Sequence, residues 1–487
     1  KMVEALQVLA GLQNNALLQA PSKHDCETES MQVDRAEADF EFSRKFVTQE
    51  KQLAAQYADM YFTRLHTLKK GLLATGAQKW KGRGKVVDRI LEAEVDSLSV
   101  VVGTVFKEMK LRPNILDEYN GKEIAPAAEG LQASNLISED DAAVIEDESG
   151  RVTMDLSKSG IPKTSELVTG QILAVLGTLS EQGDFIVEDI CTPGLPPQSK
   201  QELPKEDTHV LLLSGLQLGS PDADPLAVEM LVDYVTGNLG GEKDYSEASK
   251  IVKVIVAGDS CHPASSSGSS DKKKQHNKER EDLGAQQRAL TSPIRELDMV
   301  LTRLCSSVPV DLLPGATDPC NVFLPQQPFH HCLLPSANMY STFRAATNPY
   351  EATIAAGGET EGGEGEGLLI VGSSGQNVDD VLRYSTIDGS LNVLESMLQW
   401  RHVAPTAPDT LSCFPMREED PFICERCPHI FFAGGQKEFG SRMVEGEGGQ
   451  RCLVVAVPSF AASRSAVLVN LRTMQAEQLS FATDAFK

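Results

Sequence analysis

The chain has 487 residues, enough for two or three domains with a sizeable core, and its 41% hydrophobic content is that of a globular protein, so any disorder is local. A formal net charge of −24 argues against tight nucleic-acid binding by the chain alone, because phosphate contacts need clustered Lys and Arg; it leaves room for a complex with basic partners. No apolar run reaches about 18 residues, which excludes a membrane-spanning helix, the start shows no basic-then-apolar secretory signal, and ten scattered cysteines read as reduced thiols of the cytosol or nucleus.

Residues 1–40 combine one short apolar stretch (Val3 to Leu18) with a polar, acidic tract, the composition of a flexible arm or docking peptide. A helical segment follows at 41–96. Within it, Phe46, Leu53, Tyr57, Tyr61, Leu65, Leu68 and Leu72 recur at three-, four- and seven-residue spacings. That spacing predicts a helix over 43–74 with one core-facing stripe. Lys79-Trp80-Lys81-Gly82-Arg83-Gly84-Lys85 is the most basic stretch of the chain. It reads as a solvated loop, with a phosphate contact as the alternative.

Residues 97–195 alternate as strands do. Ser97 to Phe106 is one candidate, and Thr169 to Leu179 with Asp184 to Asp189 predicts a hairpin around Gln182-Gly183. Pieces of this kind build small barrels of the OB type. Such barrels bind single strands through aromatics on a basic face. This one is poor in aromatics and carries an acidic excursion at Glu139, Asp140, Asp141, Glu146, Asp147 and Glu148. Those charges favour a protein-binding barrel.

A Pro-rich linker, Pro193 to Glu206, precedes the region 207–487. His209 to Leu213, Ile251 to Ala257, Val308 to Leu313, Leu368 to Val371, Ile430 to Ala433, Cys452 to Val457 and Ala466 to Leu471 read as strands. Pro225 to Gly237 and Ala285 to Ser306 read as helices. Many strands with a few covering helices predict a two-sheet α/β sandwich. Two segments, 264–280 (Ser- and Lys-rich, with Lys272 to Lys274) and 357–367 (Gly and Glu), read as mobile loops. Four of the strands run into glycine turns: Val210 to Gly219, Val254 to Pro263, Val310 to Pro319 and Ile430 to Gly440.

These turns, in this order, resemble those that build the two-metal site of calcineurin-like phosphoesterases, which read roughly D-x-H, G-D-x-x-D, G-N-H-D and G-H-x-H. Two metals about 3.5–4 Å apart need such carboxylates, imidazoles and the Asn. Here Asp259 and Asp318 remain, while Ser214, Leu216, Ala316, Thr317, Gly435, Gln436 and Lys437 stand where ligands are expected. The resemblance implies a phosphoesterase scaffold whose former metal-site turns (Ser214, Gly215, Leu216, Gly258, Asp259, Gly315, Asp318, Gly434 and Gly435) have degenerated. It implies no catalytic residue, no metal and no cofactor.

A second resemblance covers about Phe42 to Phe481. Tyr57 to Leu65 (YADMYFTRL), Val101 to Lys107, Phe185 to Asp189, Leu231 to Gly237, Ser307 to Gly315, Leu324 to Pro328, Thr347 to Tyr350, Ser374 to Val378 (SGQNV) and Ala404 to Thr410 (APTAPDT) carry it. Together they resemble the small (second, or B-type) subunits of eukaryotic DNA polymerase delta. The resemblance implies an α+β chain: an OB-type β-barrel packed on a calcineurin-like phosphoesterase sandwich that has lost its metal ligands. It implies a nuclear, non-catalytic scaffold that joins the C-terminal metal-binding region of the catalytic subunit to the third subunit. DNA would then be contacted only indirectly, and no membrane is involved. Residues 1–38 have no clear counterpart, Gly357 to Gly367 is an addition, and Gly258-Asp259 stands where Gly-Asn is usual. The alternatives are a residual metal-dependent phosphoesterase or nuclease, and a single-strand-binding OB protein.

Three further groups are candidates for chemistry. Cys424-Glu425-Arg426-Cys427 with His429 is half a zinc site, to which Cys413 or Cys452 could contribute. Cys261-His262 is a thiol-imidazole neighbour pair, but adjacent residues in an extended turn point apart. His330-His331-Cys332 reads as part of a packed loop, with a remnant metal ligand as the alternative.

Overall fold

The computed structural model describes residues 35–48, 56–112, 135–200, 203–262, 279–354, 367–417 and 419–482, with backbone alone over 279–290. Leu53, the serines at 265–270, Lys272 to Lys274 and nearly all of 357–367 lie outside the described residues, as do residues 1–34 of the expected arm. The last residues of that arm are built into the fold. Ala36 N–H donates to the Ser249 carbonyl, and Phe40 begins a strand, β1 (Phe40–Phe42).

Helix α1 (Tyr57–Trp80) starts later and ends later than the 43–74 expectation. Its buried face is Met60, Arg64, Leu65, Leu68, Leu72, Gly76 and Trp80, a stripe at three- and four-residue spacing. Tyr57 is exposed, and Phe46 is buried in the turn before the helix, stacked on Phe422. The helix runs through Gly76 because the Trp80 ring lies against that glycine; a Cβ there would sit 2.8 Å from the indole. Lys81 stops it in the left-handed region.

The basic stretch is therefore not a free loop. Lys79 Nζ pairs with Asp189, Trp80 Nε1 donates to the same carboxylate, Arg83 pairs with Glu188, and Lys85 pairs with Glu94. Three of its cations meet carboxylates of the same chain, which removes much of what a phosphate would see.

Strands β2 (Lys85–Val86), β3 (Leu98–Glu108), β4 (Ala142–Glu146), β5 (Arg151–Asp155), β6 (Ile172–Leu179) and β7 (Phe185–Cys191) form one sheet in the order β2-β3-β4-β5-β7-β6. Pairing of β3 with β6 closes it. The β5–β7 pair is parallel, and the pairs β3–β4, β4–β5, β6–β7 and β3–β6 are antiparallel, the Greek-key closure of a five-stranded OB barrel. Val101, Val105, Ile145, Leu173, Val175 and Val187 fill its interior. The acidic excursion contains strand β4 and the turn after it. Asp147 accepts N–H groups from Ser149, Gly150 and Ile90, so part of that charge shapes the hairpin.

The remainder is two six-stranded sheets face to face. Strands β8 (His209–Leu213), β9 (Ile251–Ala257), β10 (Val310–Leu313), β11 (Phe343–Ala345), β12 (Tyr350–Ile354), β13 (Leu368–Ser373), β14 (Ile430–Gln436), β15 (Gly440–Glu445), β16 (Arg451–Pro458), β17 (Ser465–Asn470) and β18 (Gln475–Ser480) join β1. The orders are β1-β12-β13-β14-β16-β15 and β11-β10-β9-β8-β17-β18. Leu212, Ile255, Tyr350, Ile370, Phe432, Val455 and Val467 pack between them. Helices α2 (Pro225–Thr236), α3 (Glu242–Ala248) and α4 (Glu279–Cys305) flank the second sheet; α5 (Gln376–Tyr384) and α6 (Ser390–Trp400) flank the first. Parallel central strands read as largely apolar runs because both faces are covered, broken where buried Lys253 of β9 pairs with Asp311 of β10 at 2.9 Å.

Barrel, α1 and sandwich meet at Arg64. Its Nε donates to Asp420 Oδ2 at 2.8 Å, Nη1 to the Pro405 carbonyl at 3.0 Å and Nη2 to the Ala407 carbonyl at 2.9 Å. Nη1 also reaches the barrel at the Gly170 carbonyl, 3.4 Å away. Gly170 must be glycine: φ is +88° and a Cβ would fall 2.0 Å from the Pro405 oxygen. Lys107 of the barrel, also buried, donates to the Tyr384 carbonyl of the sandwich.

Burial alone would raise the Asp420 carboxyl, but Arg64 and His402 outweigh it and hold it well below the usual range. His402 Nε2 lies 2.9 Å from Asp420 Oδ2, and its Nδ1 accepts the Ala404 N–H. Burial, then the Arg64 charge, pushes the imidazole down to about 4 against the pull of Asp420.

Arg64→Ala leaves Asp420 charged and short of its main partner; the expected loss is about 3–5 kcal/mol, read from urea unfolding midpoints. Arg64→Lys is expected to recover little of it, because an ammonium cannot reach the same fork of acceptors. The unfolded chain protonates its His402 below about pH 6.5 while the folded chain resists until about pH 4. Stability from this site is therefore present above pH 6.5 and lost as pH falls, on the order of 3 kcal/mol in all. His402→Gln should flatten the pH dependence of the unfolding midpoint across that window, relative to the unmutated chain.

Candidate functional site

The parallel strands β8, β9, β10, β13 and β14 end at one place, and their turns pack on each other. Ser214 Oγ donates to the Ala257 carbonyl at 2.6 Å and accepts the Gly435 N–H at 2.8 Å. Gly215 N–H donates to the Gly258 carbonyl. A Cβ on Gly258 would lie 2.5 Å from Ser374 Cβ and 2.9 Å from Gly315 Cα, with φ at +75°. The turn glycines thus allow backbone-to-backbone contact that no side chain permits. Ser214, Gly215, Gly258, Asp259, Gly315, Asp318, Gly434 and Gly435 are all brought together; Leu216 turns away into the core under α2 and α4.

The two carboxylates are engaged locally. Asp259, in the left-handed region at φ +53°, accepts the Thr317 N–H at 2.9 Å and its hydroxyl at 3.1 Å. Asp318 is buried and accepts N–H groups from Cys261 at 2.9 Å and Gly315 at 2.8 Å. Burial, reinforced by Asp259, pushes its carboxyl up to about 7, and the backbone donors hold it from going further. Gln436 closes on itself and a neighbour: Nε2 donates to the Gly434 carbonyl, and Oε1 accepts from Ser390 Oγ.

A second tier supports these turns. Asn348 Nδ2 lies within hydrogen-bond distance of Gln326 Oε1, Ser374 Oγ and Gln376 Oε1 at 2.7–2.9 Å, and its Oδ1 accepts the Ser374 N–H. Gln326 Nε2 holds the Gly315 carbonyl. On α5, Asn377 donates to the Val403 carbonyl at 2.6 Å, and Asp380 accepts the hydroxyls of Thr406 and Thr410. Ser374 to Asp380 and Val403 to Thr410 are thereby one packing unit. In the sequence these segments stand out by resemblance alone; their signal is amide and hydroxyl side chains beside Gly and Pro, which reads as loop.

This arrangement can order backbone and resist collapse. For metal chemistry the turns offer two carboxylates, Asp259 and Asp318, both already accepting N–H donors, with Asp379 of α5 near enough to Asp259 that burial and that charge push its carboxyl up to about 6. None of the imidazoles of a two-metal site stands at its position in the turns that resemble it.

The other candidates fall out as follows. Cys427 Sγ donates to the Pro428 carbonyl at 3.6 Å, Cys452 packs in the same core cluster as Cys424 and Cys427, and Cys413 packs against Met60 Sδ. His429 Nδ1 accepts the Leu369 N–H. Cys261 is buried, with its thiol pushed well up by burial and then by Asp318, the opposite of nucleophile activation. His330, His331 and Cys332 are exposed rather than packed.

Comparison with known proteins agrees with both halves of the fold. The family model for the DNA polymerase delta subunit OB-fold domain matches residues 56–190. The model for the B-type subunit of DNA polymerases alpha and epsilon matches residues 210–441. The DNA polymerase delta small subunit of Oryza sativa subsp. japonica is 38% identical over 436 residues, covering 89% of this chain and 95% of that one. That of Arabidopsis thaliana is 39% identical over 431 residues, covering 88% and 91%. DNA polymerase delta subunit 2 of Drosophila melanogaster is 34% identical over 435 residues, covering 88% and 94%. With that identity sustained through barrel and sandwich alike, the chain belongs to the family of DNA polymerase delta small subunits.

Proposed function

We propose that this chain is a non-catalytic accessory subunit of DNA polymerase delta in the nucleus, binding the C-terminal metal-binding region of the catalytic subunit and the third subunit at once. The observation that carries the reading is the state of the strand-end turns: Ser214, Asp259, Asp318 and Gln436 are engaged by neighbouring turns and backbone, while Ser260 Oγ and His262 Nδ1 are left without a partner among the described residues. The sandwich is, in this reading, a calcineurin-like phosphoesterase domain whose metal site has become a structural joint. Its domains are the barrel at 97–195 and the sandwich at 207–487. The 41–96 segment connects them, and β1 and Phe46 against the sandwich and α1 against the barrel support that role. A rigid two-domain body can present separate surfaces to two partners and raise the concentration of one near the other.

The test is co-elution of the full chain with the C-terminal metal-binding region of a polymerase delta catalytic subunit, alongside an assay for Mn²⁺-dependent phosphodiester hydrolysis. A one-to-one complex at moderate salt, with hydrolysis at background, is the expected result. Separate elution of two folded proteins defeats the accessory reading; hydrolysis lost on changing Asp259 or Asp318 defeats the inactive one. Asn348→Ala, which strips partners from Gln326, Ser374 and Gln376, is expected to cost about 1–3 kcal/mol of stability. Differential scanning calorimetry of the variant measures that loss.

A further inference from the structure

The geometry points to a zinc site at His330, His331 and Cys332, which take no part in the joint at the strand ends. Among the described residues, they are the group whose potential ligand atoms all lie within 4.8 Å of one another, one from each residue. The turn His331–Leu333, capped by His330, gathers three consecutive side chains. The two imidazole rings lie 4.3 Å apart between centroids, and Cys332 Sγ lies 3.4 Å from His331 Nε2. Zinc bonds of about 2.3 Å to sulfur and about 2.0–2.1 Å to nitrogen, at a tetrahedral angle, separate the two donors by about 3.5 Å. The observed separation is already the edge of such a tetrahedron.

Two imidazoles and a thiolate are a borderline-soft set that suits Zn²⁺ and Co²⁺ and not Mg²⁺ or Mn²⁺. It therefore differs in kind from the oxygen-rich pair of metals a phosphoesterase needs. All three residues are exposed, so the ion can enter and the fourth position is open to water. Binding takes the proton from the Cys332 thiol and releases it to solvent, while the two imidazoles bind neutral. One contact is given up: His330 Nδ1 accepts the Cys332 N–H at 3.3 Å. A hydrogen bond that long, at the surface, is worth at most about tenfold in affinity.

The experiment uses the full chain, reduced and stripped with chelator, titrated with Co²⁺ and then Zn²⁺. A thiolate-to-cobalt absorption band saturating at one equivalent is expected, bleached by Zn²⁺ and untouched by Mg²⁺. Zn²⁺ should also shield Cys332 from alkylation, located by peptide mass. Losing a group that only supports a ligand weakens metal binding about 10–100-fold, so losing a ligand in Cys332→Ser should cost at least that. His331→Gln should weaken it as well. The side chains are exposed, so both variants should melt like the parent. No band, or a band unchanged in Cys332→Ser, overturns the assignment; the second result would move the metal toward Cys424, Cys427 and Cys452.

Discussion

A buried guanidinium fixes how this molecule is put together. The Arg64 and Asp420 side chains are 1% and 0% exposed, and the ion pair sits where α1, barrel and sandwich converge. Taking both charges out of water costs several kcal/mol each, which their attraction repays only with good geometry and full hydrogen bonding. That condition is met here. Arg64 uses three nitrogens on four acceptors, and Asp420 also receives the His402 imidazole and the Phe422 N–H. The value of the pair lies in what it forbids. Any shift of barrel against sandwich strands a charge in a dry interior, so the two domains hold one relative position.

From that point the polar network leads to the strand ends. Arg64 holds the carbonyls of Pro405 and Ala407, and Thr406 and Thr410 in the same loop bind Asp380 of α5. The first turn of α5 offers Gln376 to Asn348, which reaches Ser374, whose Cβ lies against Gly258. Side-chain hydrogen bonds and the short stretches of backbone between them thus connect the domain junction to the turns of five parallel strands. In an enzyme, polar groups at such a place would be left free to meet substrate and metal. Here Ser214, Asp259, Asp318 and Gln436 are tied to neighbouring turns, which makes the strand ends rigid. The raised carboxyl of Asp318 is a cost of the same packing: it is buried where it holds two turns by their N–H groups.

Much of this is legible from apolar patterning, and what is not has physical reasons. The parallel strands β8, β9, β14 and β16 are largely apolar runs between turn residues, with Lys253 of β9 as an interior exception, and such runs announce themselves. Strand β18 (QAEQLS) is a polar edge strand and looks like loop until β17 pairs with it. The end of helix α1 is hidden because a glycine ordinarily weakens a helix, whereas Gly76 is the seat of Trp80. Arg64 gives no signal at all. On a helical wheel it sits within the apolar stripe, and a lone Arg there shows nothing of its acceptors, among them backbone carbonyls some 106 to 343 residues away. The strand-end turns are visible through their glycines. Their supporting tier is not, because Asn, Gln and Ser in Pro-rich segments carry no periodicity.

The charge distribution bears on how such a body meets DNA. The most basic stretch of the sequence faces the acidic end of β7, with Lys79 and Arg83 on Asp189 and Glu188, and Lys85 on Glu94. These exposed pairs contribute little stability each. Their effect is on the field: they cancel positive charge beside the barrel in a chain whose net charge is −24. Long-range attraction of a phosphate backbone depends on uncancelled cations in a cluster. A chain with this distribution offers a phosphate backbone little long-range attraction of its own.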